Sequence, residues 1–142
     1  MANSKSTGIA YSDPVLDGEV KVQGDPVVKT VAVTLNLADL KSRIINATPT
    51  ATGATVAYTL PTGTLMDQTG EYAVNHSFEW VIINSALAAL DTITVTQGTG
   101  HTLVGTGIVP SLHATTGGVY GNSCTFRTRK TGINTFVTYR LS

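Results

Sequence analysis

The chain has 142 residues, so it holds one domain with room for an appended arm. Twenty-four residues are threonine and fourteen are glycine, while charged residues make up only 13% and the net charge is zero. That balance disfavours a nucleic-acid binder, which wants a basic excess with interleaved aromatics, and no run approaches the roughly 20 apolar residues of a membrane span.

Residues 1–13 are polar and aperiodic and read as an extended arm; the start MANSKSTGIAYSDP has no secretory h-region, which predicts a cytoplasmic product. VLDGEVKV and PVVK follow, broken at Gly18, Gly24 and Pro26, and read as loop or edge strand. The division is thus an arm and lead-in over 1–26 and a β domain over 27–142. Val31, Val33, Leu35 and Leu37 alternate with small or polar residues, which predicts a strand with one buried face. In ADLKSRIIN, residues 38–46, Leu40, Ile44 and Ile45 fall on one side of a short helix.

ATVAYTL, residues 54–60, alternates Val56, Tyr58 and Leu60 as a strand ended by Pro61; MDQTGEY reads as a solvated turn carrying Asp67 and Glu71. HSFEWVIIN, residues 76–84, is the central strand: Phe78, Trp80 and Ile82 share one face, and Val81 and Ile83 make the other apolar, so both are expected to be covered. SALAALD allows one helical turn before the strand TITVTQ. TLVGTGIV is broken at Gly105 and Gly107, which predicts a bulge or a tight bend. CTFRTRK and TFVTYRLS flank TGIN, a hairpin with a four-residue connection over 131–134. Strands at this spacing predict an all-β sandwich or barrel with at most one or two short helices; no repeat of solenoid length is visible.

Chemistry-bearing patterns are sparse. GTGHTLVGTG, residues 98–107, is glycine-dense but runs into a strand, not a helix, so it reads as a turn and not a phosphate loop. His101 is expected to hydrogen-bond that turn in place. His101, His113 and Cys124 are metal-ligand types at spacings of no common site, and the remaining histidine, His76, adds none. Cys124, the one cysteine, excludes an intrachain disulfide; it alternates with Phe126 and Thr128 and reads as buried, with Arg127 and Arg129 on the opposite face. No catalytic motif is present, and neither cofactor nor metal is expected. The sequons at Asn46 and Asn75 are chance products of a threonine-rich chain.

Charge is polarised: residues 1–91 hold all nine carboxylates against five bases, and residues 92–142 hold only Arg127, Arg129, Lys130 and Arg140. Such a molecule suits a complementary neighbour or copies of itself. RTRK, residues 127–130, is either a solvated strand face or a contact for an acidic partner surface.

The stretches FEWVIINSALAALDTITVTQGTGHTLVGTGIV and CTFRTRKTGINTFVTYRLS resemble the endings of small head-associated proteins of tailed bacteriophages, many from cyanophages and other marine phages. The opening MANSKSTGIAY is similar too, and the resemblance covers roughly residues 54–142. It implies a non-catalytic capsid decoration (cement) protein on the outer surface of the virion. The implied protein is commonly a trimer that binds the major capsid protein, with an N-terminal arm clasping its neighbours. The partner contacts expected on this reading are Lys5, Tyr11, Arg127, Arg129 and Lys130. The competing reading is a head-fibre, knob or tail-associated module binding host glycans, for which Tyr72 and Tyr120 would serve.

Overall fold

A computed structural model of the chain describes residues 23–50, 53, 55–87, 91–111 and 122–142. Among the described residues ten strands and two short helices follow one another: β1 Val27–Lys29, β2 Val33–Thr34, α1 Leu37–Lys41, β3 Ile44–Ala47, β4 Thr55–Thr59, α2 Gly63–Asp67, β5 Ser77–Asn84, β6 Thr92–Thr96, β7 His101–Val104, β8 Ile108–Val109, β9 Ser123–Gly132 and β10 Thr135–Arg140. The protein is therefore mainly β, as the threonine-rich alternation implies.

Two sheets form, one with the order β1-β3-β5-β9-β10-β7 and one with the order β2-β4-β6-β8. From β1 to β8 the chain alternates between them strand by strand. Within each sheet the early neighbours are parallel: β1 with β3, β3 with β5, β2 with β4 and β4 with β6. Parallel neighbours need a crossover, and here a strand of the other sheet supplies it. Six strands thus wind as a coil although no repeat shows in the sequence. Antiparallel pairing closes the fold at β6–β8, β5–β9 and β9–β10.

The inward faces feed one core. Ile45, Phe78, Trp80, Ile82, Phe126 and Phe136 come from the larger sheet, and Val56, Tyr58, Ile93, Val95 and Val109 from the smaller. Burying a side chain of this size typically contributes about 1.5–3 kcal/mol. Trp80 and Phe126, register partners on β5 and β9, stack with centroids 4.7 Å apart. Burial of Tyr58 pushes its phenol up to about 12, and its hydroxyl donates to the Lys29 carbonyl at 2.9 Å.

Several local expectations need correction. The predicted helix over 38–46 is only α1. Asn36 and Asp39 make a capping box, each side chain accepting from the other's backbone N–H at 3.0 Å. The helix stops because Arg43 adopts φ 70, and the β-branched Ile44 and Ile45 continue as β3. The strand predicted from Val31 is two residues long, with Val31 exposed and Leu37 already in α1. MDQTGEY is not wholly a turn, since α2, capped by Thr62, extends through Asp67. β9 runs to Gly132 with an irregularity between Lys130 and Gly132, so Ile133 and Asn134 alone form the hairpin tip. The outer face of β5 is only half covered at Val81 and Ile83. In SALAALD, residues 85–87 are not helical and residues 88–90 lie outside the described residues.

Candidate functional site

The hairpin β9–β10 carries three of the five residues expected at a partner contact, Arg127, Arg129 and Lys130, and the structure gives each a different setting. Arg127 faces outward on β9 directly opposite Glu79 on β5, and its Nε and Nη2 donate to the same carboxylate oxygen at 3.1 and 2.5 Å. Both side chains stay about half exposed, so the pair contributes only about 0–1 kcal/mol and its head groups remain available to a partner. Arg129 Nη1 donates to Asn75 Oδ1 at 2.5 Å.

Lys130 is largely covered. Its ammonium donates to Asp67 Oδ1 and to the Tyr72 carbonyl, the latter at 2.9 Å. Lys5 and Tyr11 lie outside the described residues, as do His113 and Tyr120.

Asp67 is the residue the sequence reading missed. It was expected to be solvated, yet its other oxygen accepts the Asn134 N–H at 2.9 Å, clamping the tip of the hairpin. That hydrogen bond, with the Lys130 contact, holds its carboxyl below the usual range. Glu71 does stay exposed, and pairs with Lys41 at 2.6 Å.

The glycines of GTGH serve close backbone packing. A Cβ on Gly98 would sit 2.2 Å from the Leu60 carbonyl oxygen, and one on Gly63 would sit 1.9 Å from that of Asn134. Gly100 has φ +71, a conformation few other residues adopt. The turn before β7, the start of α2 and the hairpin tip therefore meet backbone to backbone. Gly63 N–H donates to Thr99 O at 2.8 Å, and Phe136 N–H to Gly100 O at 2.9 Å.

Behind this junction runs a buried polar chain. Trp80 Nε1–H donates to Thr128 Oγ1 at 2.9 Å, Thr128 and Thr138 hydroxyls are 2.7 Å apart, and Thr138 Oγ1 is 2.7 Å from His101 Nε2. His101 Nδ1 lies 2.9 Å from the Pro61 carbonyl. A carbonyl only accepts, so Nδ1 carries the proton. Burial disfavours the charged imidazole and pulls its pKa below 6.5, outweighing the Pro61 contact. The ring is thus neutral, Nε2 accepts from Thr138, Thr138 accepts from Thr128, and Thr128 accepts from the indole. Every donor in this direction has an acceptor.

Cys124 is buried, and desolvation pushes its thiol up against a smaller opposing effect of Arg140. A thiol held protonated in this way is a poor nucleophile. His76 Nδ1 accepts from Ala73 N–H at 3.4 Å. Among the described residues, no three histidine, cysteine or acidic side chains converge as a metal site.

A groove of about 540 Å³ opens on the outer side of the six-stranded sheet, lined in part by Gln23, Lys41, Arg43, Ile44, Val81 and Thr125. Compared with family models, with characterised proteins and with solved structures, the chain matches none.

Proposed function

We propose that the protein is a structural component of a tailed-phage virion, a cement protein that stabilises the head by binding the major capsid protein, most simply as a homotrimer. On this reading the two sheets pack face to face as a sandwich, with their shared core between them. The supporting observation is the terminal hairpin. The segment that carries the resemblance, FRTRKTGINTFVTYR, occupies the middle of the larger sheet and is pinned by Asp67, Gly63 and Gly100. Pinning leaves Arg127 on an outer face and Ile133 at the tip 83% exposed. A rigid surface with an apolar point and flanking charges suits a protein partner.

Quantitative mass spectrometry of purified particles tests this reading. A cement protein on lattice positions is expected in a fixed ratio to the major capsid protein. A few copies per particle would favour the head-fibre or tail module, and none would sink the virion reading. Light scattering of the purified protein tests the trimer: a monomer mass at micromolar concentration would remove it.

A further inference from the structure

β7 is tied to the molecule by little besides one ionisable ring. Among the described strands it pairs only with β10, in four parallel positions from His101 opposite Phe136 to Val104 opposite Tyr139. On its other side the Leu103 N–H donates to the Gln97 side chain at 3.3 Å. Glycines in left-handed backbone bound the strand at both ends, Gly100 with φ +71 and Gly105 with φ +98. Positions of this kind absorb the dihedral change that a hinge requires. Of the strand's four residues only His101 is buried; Leu103 is half-buried against the core, and Thr102 and Val104 are exposed. The anchor is therefore the imidazole, held through Nδ1 by the Pro61 carbonyl and through Nε2 by Thr138 on β10.

A proton on Nε2 undoes that anchor. Thr138 loses its acceptor and must turn its O–H toward Thr128. Thr128 then faces two donors, the Thr138 hydroxyl and the Trp80 indole, and its own O–H meets no acceptor in the chain. The charged groups on the packed elements supply no counterion. Lys130 on β9 and Asp67 on α2 hold each other, and Arg140 on β10 donates to the Thr106 and Ile108 carbonyls. Glu79 on β5, with Arg127 and Arg129 on β9, stands on the outer face of the sheet, away from the ring. Burial alone already disfavours the charged ring.

We propose that β7 is an acid-released strap: protonation of His101 lets residues 101–104 swing out about Gly100 and Gly105 while the rest of the fold stays closed. In the open form the imidazolium reaches water. Thr138 can then donate to water and accept from Thr128, so no group of the polar chain is left without a partner. The antiparallel ladders β5–β9 and β9–β10 do not depend on β7. Opening leaves β10 as the edge of the sheet, with backbone groups free to pair. The strap belongs to the chain's own fold, whatever the protein binds.

Hydrogen exchange of the full chain, read amide by amide and corrected for intrinsic rates, tests it. The His101 and Phe136 amides, which donate to the Gly98 and Gly100 carbonyls at 2.9 Å, report the strap. The Val81 amide, which donates to the Arg43 carbonyl at 2.9 Å, reports opening of the whole fold. An exposed histidine titrates near 6.5, so from about pH 7.5 to about pH 5.5 exchange of the two strap amides should rise about tenfold. Release of four residues exposes little surface, so low urea should barely change these rates while it speeds exchange at Val81. In His101→Gln, which keeps a polar side chain without a titration, the Phe136 amide should change less than about twofold over the same range. Exchange at His101 and Phe136 with the rate and urea dependence of Val81 would overturn the proposal, because β7 would then leave only with the whole fold. A tenfold response that persists in His101→Gln, or no response in the wild-type chain, would overturn it as well. The wild-type measurements decide the matter alone if the variant does not fold.

Discussion

Replacing Thr138 by valine keeps the side chain's shape and removes one hydroxyl from the middle of the buried chain. Two groups then lose their partners: His101 Nε2 has no donor, and the Thr128 O–H has no acceptor, because its other neighbour, Trp80 Nε1–H, is itself a donor. Thr128, Thr138 and His101 are all at most 1% exposed, so water does not substitute. Each buried unsatisfied group costs about 1–3 kcal/mol, which puts the loss for Thr138→Val at about 2–6 kcal/mol. That is a large part of an ordinary domain stability of about 5–15 kcal/mol. Urea unfolding followed by the fluorescence of Trp80, the single tryptophan, measures it directly. Thr138→Ser is the control: it keeps the hydroxyl and drops one methyl, at about 1 kcal/mol. If valine and serine cost the same, the hydroxyl chain contributes nothing and the proton assignment is wrong.

Acidification should act on the same chain. Unfolded His101 takes up a proton near 6.5 and folded His101 resists it, so below about pH 6.5 the unfolded state binds more protons and stability falls, by up to about 1.4 kcal/mol per pH unit until the folded group titrates. His101→Gln should flatten the slope of stability in that window; an unchanged slope would assign it elsewhere. Trp80→Ala removes the stacking partner of Phe126 and should cost about 3–5 kcal/mol, read as a lowered melting temperature. Gly63→Ala drives a methyl into the Asn134 backbone and should cost about 1–3 kcal/mol, with faster hydrogen exchange at the Asn134 and Phe136 amides.

What the sequence discloses here is set by distance along the chain. β5 was legible because period-two alternation across Phe78, Trp80 and Ile82 is a local signal of one buried face. So was the bend at Gly105, whose φ of +98 few other residues reach. The winding between sheets was not, since alternation says which face is buried but not which strand lies alongside. The 38–46 segment misled because Leu40, Ile44 and Ile45 satisfy a helical face and a strand equally well. The choice fell to Arg43, whose left-handed turn no composition rule announces. Asp67 was misread because its partners, Lys130 and Asn134, join it only through the closed fold. Its setting in MDQTGEY looks like any solvated turn. The packing role of Gly98 and Gly63 was hidden for the same reason, although a Thr cap following Pro61 was a usable sign of α2.

Two threonines buried in the centre of the larger sheet have a consequence for specificity. A one-residue slip of β10 against β9 would turn its core face outward, whereas registers two residues apart keep every side chain on its own face. Hydrophobic patterning alone discriminates weakly between such registers. The polar chain does discriminate. Thr128 faces Thr138 only in the observed register, and only there can Thr138 reach His101 on β7 while Thr128 meets the indole on β5. A slipped register would strand the indole N–H, the imidazole and a hydroxyl together in the core. The four strands β5, β9, β10 and β7 are thereby held in one alignment, and the positions of Arg127 and Ile133 on the surface follow from it.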